Sequence, residues 1–384
     1  MLLSRTLFQN SIPVLPKKNR RASSTRPALF RALSLAQNAH RRKSIAFTWL
    51  LFFTSAASQF YACNKFPADT PPAITRPDFQ KGMTLACWSD ACMGNSRSEA
   101  SLSRLKTVGV EWATIVVTGY QSDERAHNIV FNVARSPGDP FVRGMIAQAR
   151  NENMKITLKP HVDLNNGQWR GHIKPDSLDV WFENYRDFIM HYATMAEELD
   201  VEQFIVGVEL VSLNRQDQKW RELIAEVRGV FSGKILYSAS WNEFERIDFW
   251  EALDFAGINA YFPLTDLKNP SQVDLAAGWQ FWINRLENWH EKIGKDVIFT
   301  EIGYTSRNGT NTRPYDFNMR TSIDVDEQAD CYKAALRAVS GIEWIKGVHW
   351  WRWDTVIRNA RGDYPPLNGP AEDELRKAWS SVGE

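Results

Sequence analysis

The chain has 384 residues, 43% of them apolar, enough for a sizeable core in one large domain or two smaller ones. Its formal charge of +1 hides an asymmetry: residues 1–43 hold ten Lys or Arg and no acidic residue, leaving 36 basic against 45 acidic side chains in the remainder, a net of −9. Such a body lacks the basic face that neutralises phosphates, which argues against nucleic acid as the partner, whereas sixteen tryptophans point to flat apolar ligands or a large aromatic core.

The first 63 residues read as an address rather than a fold. "HRRKSIAFTWLLFFTSAASQFYAC" is a basic stretch, then an apolar run, then small residues, the order expected of an export signal. The apolar run, roughly Ile45 to Ala57, falls short of the ~20 residues that a transmembrane helix needs. Its end, "FYAC", resembles a bacterial lipoprotein box, with Ala62 before Cys63 as the lipidated residue and Phe60 where an aliphatic residue is usual. Cys63 is therefore the candidate attachment point of a lipid anchor, holding an exported protein to the bacterial cell envelope. An ordinary cleaved signal, giving a secreted protein, and an uncleaved anchor are the alternatives. Residues 64–82 read as a linker, and 83–384 as the folded domain.

From Met83 onward, short apolar runs alternate with longer amphipathic stretches, the pattern of repeated βα units on a parallel sheet. Eight strands are expected: "MTLACWS" (83–89), "WATIVVTGY" (112–120), "KITLKPHV" (155–162), "FIVGVEL" (204–210), "KILYSASW" (234–241), "FAGINAYF" (255–262), "VIFTEIGY" (297–304) and "GVHWWRWD" (347–354). Helical patterns between them include 177–200, 217–231, 270–294 and 326–341. Eight units in this length predict a single α/β domain, a (β/α)8 TIM barrel. A doubly wound open sheet would call for a glycine-rich phosphate turn, and neither GxGxxG nor GxxxxGK[ST] occurs.

In a barrel of this kind, functional groups gather at the C-terminal strand ends, and strict alternation assigns the faces. Alternation puts Ile205, Gly207 and Glu209 inward with Phe204, Val206 and Val208 outward; Thr157, Lys159 and His161 inward; Gly257, Asn259 and Tyr261 inward; and Phe299 with Glu301 on one face. Glu209 and Glu301 then arrive at one mouth from the fourth and seventh strands. Hydrolysis of a glycosidic bond requires such a pair, one protonated to assist the leaving oxygen and one ionised to attack the anomeric carbon, about 5–5.5 Å apart when configuration is retained. A lone glutamate at a strand end is more often a solvated or ion-paired residue; two at matching ends, beside His161 and Tyr261, favour catalysis.

The motifs "LKPHV" (158–162), "GVELVS" (207–212), "NAYFPL" (259–264), "TEIGY" (300–304) and "HWWRW" (349–353) stand in order at βα spacing. On these, the chain from about Met83 to Asp354 resembles glycoside hydrolase family 113, the β-mannanase-like barrels of a large clan with acid/base on strand four and nucleophile on strand seven. The resemblance implies a retaining glycosidase acting on an oligo- or polysaccharide such as β-mannan, with Glu209 as acid/base, Glu301 as nucleophile and no cofactor. Many members of the clan carry Asn just before the acid/base, where this chain has Val208, so recognition of the sugar's 2-hydroxyl falls to Asn259, Lys159 or His161. The rival reading is a non-catalytic barrel of the same fold that binds glycans or partners at the cell surface.

Pyranose rings present C–H faces that stack on indole. Alternation in "HWWRWD" sets His349, Trp351 and Trp353 on one face, making Trp351 or Trp353 the expected floor under the cleaved sugar; Trp88, Trp169 and Trp241 are further candidates. Trp220, Trp279 and Trp282 fall in helical patterns and read as core. His161 and Asp163 form an H-x-D pair without a second histidine cluster, too little for a metal site. Cys87 and Cys92 can form a disulfide in an exported protein, and Cys331 reads as a buried thiol.

Overall fold

The computed structural model describes residues 72–88, 92–131, 135–356 and 361–379. Cys63, and with it the expected export segment, lies outside the described residues, among which no helix is long and apolar enough to cross a membrane. Eight strands, β1 Gln80–Ala86, β2 Trp112–Gln121, β3 Lys155–Leu164, β4 Gln203–Val208, β5 Lys234–Ser240, β6 Phe255–Asn259, β7 Val297–Ile302 and β8 Ile345–Asp354, pair in parallel in chain order. β8 returns to β1 and closes the barrel. The helices are α1 Ser96–Thr107, α2 Asp139–Asn151, α3 Leu178–Glu198, α4 Asp217–Val230, α5 Gln272–Ile293, α6 Val325–Ser340 and α7 Pro370–Trp379. Between β5 and β6 the crossover consists of two 3-10 turns, Phe244–Arg246 and Trp250–Ala252. The expected (β/α)8 barrel is the fold observed.

Local signals set the helix limits. In α5, Ser271 accepts from the Asp274 amide while Asp274 caps Ser271 in return, and Gly294 ends the helix in the left-handed region at φ 62°. Both features satisfy backbone groups that a helix end leaves open. The large rings fill the layer between barrel and helices: Trp181, Trp220, Trp279 and Trp350 are fully buried there, each contributing about 2–3 kcal/mol of apolar burial. The barrel interior has a small apolar cluster of Ile205, Val208, Leu236 and Ile298.

Strict alternation fails at three strand ends, in the same way each time. In β4 the register passes from Ile205 opposite Leu236 to Val208 opposite Ser238, so Val206 and Gly207 together face the single Tyr237. Ile205 and Val208 point inward, and a Cβ on Gly207 would meet Trp220 of α4 and the Tyr237 ring; the expected inward Gly207 and outward Val208 are thus reversed. In β7, Thr300 and Glu301 lie between Phe299 opposite Val348 and Ile302 opposite Trp350. Phe299 faces outward onto Trp279 of α5, so it does not share a face with Glu301. In β8, Trp351 and Arg352 lie between Trp350 opposite Met83 and Trp353 opposite Leu85. Each is a bulge, an extra residue that bends the strand and re-aims the side chains after it.

Candidate active site

Glu301 sits at the β7 bulge, 5% exposed, with Lys159, His161, Asn259 and Tyr261 around it. Lys159 Nζ from β3 donates to its Oε1 at 2.6 Å, and the Tyr261 hydroxyl, just past β6, donates to its Oε2 at 2.8 Å. Lys159 is wholly buried, and burial pulls its pKa down against the upward pull of Glu301. Its ammonium also donates to the Thr300 carbonyl at 3.2 Å and approaches Asn259 Oδ1 at 3.4 Å. Burial and the Glu301 charge hold the Tyr261 phenol protonated, a donor at any working pH.

Glu209 follows the end of β4 with φ 51°, in the left-handed region that side-chain-bearing residues rarely adopt. Several bonds hold it there. Its amide donates to the Ser238 carbonyl at 2.8 Å, and the next amide, Leu210, donates to the Tyr237 hydroxyl at 3.1 Å, itself bonded to Asn214 Oδ1 at 2.6 Å. The carboxyl accepts from Trp169 Nε1 at 3.0 Å. Burial first, then the neighbouring Glu301 charge, raises the Glu209 pKa; Arg170, Trp169 and Asn259 oppose that rise. Backbone strain at a site where two carboxyls meet is the pattern of a functional position.

Asn259 and His161 supply buried polar atoms that the protein itself leaves open. Asn259 Oδ1 accepts from Ser238 at 2.6 Å and Thr300 at 3.1 Å, which fixes the amide plane and turns its buried Nδ2 toward the Glu209 carboxyl without a hydrogen bond of good geometry. His161 Nε2 is buried and unpartnered. Burial and the Arg170 and Lys159 cations drive the His161 pKa well below the ordinary value, so its 3.8 Å approach to Glu301 is that of a neutral ring rather than an ion pair. A buried donor without a partner costs free energy unless a ligand supplies one. His161 stacks parallel on Trp351, centroids 6.1 Å apart, and Trp351 remains partly exposed at the mouth.

Trp353 is not part of this site. Its ring is fully buried, its Nε1 donates to Ser101 of α1 at 2.9 Å, and the Arg104 guanidinium lies over it. The β8 bulge turns it to the helix side, so the expected shared face of Trp351 and Trp353 does not exist. Trp88, 40% exposed past the end of β1, lies under the Arg352 guanidinium at 5.4 Å. Trp169 holds Glu209 by its N–H, a contact that indole stacking alone does not suggest. Cys87 and Cys92 are disulfide-bonded, and Cys331 is a buried thiol in α6.

Arg170 and Tyr364 escaped the sequence reading because one opens a three-residue 3-10 turn, Arg170–His172, and the other stands in a loop, neither long enough to show periodicity. Arg170 pairs with Asp163 through Nε at 3.1 Å, and it is close enough to both glutamates for each to raise its pKa. That pairing occupies the acidic half of the H-x-D motif. Tyr364 packs edge-on against Tyr261 at 5.9 Å. A cavity of about 530 Å³ at the opposite end of the barrel is lined by Lys81, Lys106, Glu111 and Arg376, with Lys81 paired to Glu111 at 3.2 Å; it is remote from the two carboxyls.

Comparison with known proteins bears on the family and the fold. Two solved structures described as GH113 β-1,4-mannanase, one of them a complex, each share 29% identity and a TM-score of 0.72, over 78% of this chain and 98% of theirs. The GH113 β-mannanase from Alicyclobacillus acidocaldarius in complex with ManMIm shares 28% identity and a TM-score of 0.73, over 78% and 97%. A β-glucuronidase from Ruminococcus gnavus, at 12% identity, a TM-score of 0.53 and coverage of 79% and 50%, shares the fold alone. No curated protein sequence matches the chain. Residues 88–363 match the family described as Glycoside Hydrolase Family 113, a span that includes both glutamates with Lys159, His161, Asn259, Tyr261 and Trp351. The chain belongs to glycoside hydrolase family 113 and is a glycoside hydrolase.

Proposed function

We propose that the protein cleaves a β-linked mannan or related β-glycan with retention of configuration, with Glu301 as nucleophile and Glu209 as general acid and base. The observation that carries this reading is the unequal partnering of the two carboxyls. Glu301 accepts from an ammonium and a phenol, one at each oxygen, and is presented as a fixed pair of acceptor oxygens. Glu209 accepts one bond from a neutral indole, and burial beside Glu301 favours its protonated form. Environments that push two carboxyls apart divide the acid and base roles between them.

In the first step, Glu209 protonates the leaving oxygen as a Glu301 oxygen bonds to the anomeric carbon. In the second, Glu209, now ionised, takes a proton from water as the water displaces Glu301, returning both groups to their starting states. Tyr261 and Lys159 keep the nucleophile from rotating away. The open Asn259 Nδ2 and His161 Nε2 supply the donor and acceptor for sugar hydroxyls, the task that an Asn at position 208 would otherwise share. Trp351 offers the apolar face. The β-mannanase relatives support mannan as the substrate.

The test is hydrolysis of mannan, glucomannan, cellulose and xylan oligosaccharides, with the anomer of the first-formed product read by proton NMR. Cleavage of the mannan series with the β-anomer formed first is the expected result. An α-anomer formed first would overturn the retaining mechanism. We also propose that the N-terminal segment exports the barrel and anchors it to the envelope through Cys63, a reading supported by the order of basic, apolar and small residues before that cysteine.

A further inference from the structure

Beyond the carboxyls, on the β5–β7 side of the mouth, the aromatic surface continues. β5 ends at Ser240, so Trp241 is the first residue past it, at the rim. Its indole stacks on the ring of Tyr315, centroids 5.5 Å apart and planes within 14°, while Trp282 of α5 meets it edge-on at 5.7 Å. Trp282 is fixed in turn by an N–H donated to the Pro263 carbonyl at 2.8 Å. Tyr315 belongs to the long connection from β7 to α6. It stays 44% exposed, and Phe317, on the same turn, 69%.

The turn that carries Tyr315 is tied to the reacting centre. The Tyr364 hydroxyl donates to the Pro314 carbonyl at 2.6 Å, and the Tyr364 ring packs on Tyr261, which donates to Glu301. Asp316 accepts from the Asn318 amide at 3.1 Å and closes the turn on itself. Burial first, and then the charges of Glu301, Asp363, Asp316 and Glu209, raise the Tyr364 pKa and keep its hydroxyl a donor to the Pro314 carbonyl. Tyr315 therefore has one face braced by Trp241, a backbone held in place, and a partly exposed ring beside the cleft.

A ring in that state suits the C–H face of a pyranose: its conformational freedom is already restricted, so little is lost on binding, and the apolar area it covers is gained. A glycan seated at the carboxyls is a chain, and its further units must lie somewhere along the mouth. We propose that Tyr315, backed by Trp241, is a second sugar-binding platform that stacks one ring of the bound β-glycan away from the bond being cut. This rests on the glycoside hydrolase reading above and adds to it a preference for longer chains.

The test separates the platform from the chemistry by measuring binding without turnover. Glu301→Gln is titrated calorimetrically with β-1,4-mannobiose and β-1,4-mannohexaose, alone and combined with Tyr315→Ala or Tyr315→Phe. An aromatic stack of ordinary strength predicts that Tyr315→Ala weakens mannohexaose binding about tenfold and mannobiose binding less than threefold. Tyr315→Phe, which keeps the ring, should stay within about twofold for mannohexaose. Undiminished mannohexaose affinity in Tyr315→Ala overturns the platform, and so does an equal loss for both lengths, which is the mark of a residue that only supports the fold. If none of mannohexaose, cellohexaose and xylohexaose binds Glu301→Gln protein shown to be folded by its circular dichroism and a cooperative melting transition, the platform falls. Length-dependent binding in a chain whose unsubstituted form cleaves nothing would instead remove the catalytic reading and leave the platform standing.

Discussion

Lys159 and Glu301 form an ion pair inside the barrel, 2.6 Å apart, with side-chain exposures of 0% and 6%. Removing one partner of such a pair leaves the other charge buried and uncompensated, a loss of about 3–5 kcal/mol. Glu301→Gln is expected to abolish turnover of every substrate, since no covalent glycosyl-enzyme forms. Burial already lowers the Lys159 pKa. With its partner gone, the folded state favours the neutral amine more than the unfolded chain does, so the variant's stability deficit shrinks as pH rises toward the ordinary lysine range. Urea unfolding at pH 6 and pH 9 reads this directly, and equal deficits at both would rule out the charge as the cause.

For Glu209, the division of labour predicts a different outcome. Glu209→Ala with an aryl glycoside bearing an activated leaving group should still form the glycosyl-enzyme, because little protonation is needed, but should hydrolyse it slowly. Added azide restores turnover and yields a glycosyl azide with the substrate's anomeric configuration. If azide instead rescues Glu301→Ala with retention and Glu209→Ala with inversion, the two roles are exchanged.

Tyr261 places its hydroxyl 2.8 Å from the carboxylate proposed to attack. A hydrogen bond to a charged group contributes about 1.5–3 kcal/mol, so Tyr261→Phe should lower kcat about 10- to 100-fold in a protein that still folds. Unaltered kinetics would show that Lys159 positions the nucleophile without it.

His349 gives the barrel a defined weakness in acid. Its ring nitrogens meet Thr114 Oγ1 at 2.6 Å and Gln80 Oε1 at 2.9 Å, and burial, then Lys159, pushes its pKa down to about 3. The unfolded chain binds a proton here near pH 6.5 and the folded one does not. Stability is thus fully present above about pH 6.5 and falls by about 1.4 kcal/mol per pH unit below it. Substituting His349→Gln should flatten the stability profile between pH 6 and pH 4 by about that slope. A parallel profile would mean that the native ring is already protonated.

The proposed anchor is tested in the full chain expressed in a bacterium. Cys63→Ser should move the protein from the membrane fraction to the soluble one, since an acyl anchor holds the envelope only through its attachment residue. Retention of the variant in membranes would favour an uncleaved apolar segment.

Periodicity alone carried the architecture. Eight apolar runs at βα spacing admit few alternatives to a closed parallel barrel, because buried parallel strands must be apolar and each crossover needs an amphipathic cover. The two glutamates were also legible, as charged residues at apolar strand ends. What alternation could not supply is how they reach the mouth. A period of two is a property of an unbroken ladder, and at Val206–Gly207, Thr300–Glu301 and Trp351–Arg352 the ladder carries one residue too many. Nothing local in the sequence marks those bulges; they arise from the fit of eight twisted strands around a closed ring. Hence Ile205 and Val208, not Gly207, fill the barrel, Phe299 faces α5, and Trp353 turns away from the sugar while Trp351 stays. The same holds for Arg170 and Tyr364, whose places depend on loops closing over strands nearby in space and distant in sequence. Residue type and spacing determined the chemistry available to this chain, and packing in three dimensions decided which side chains meet to perform it.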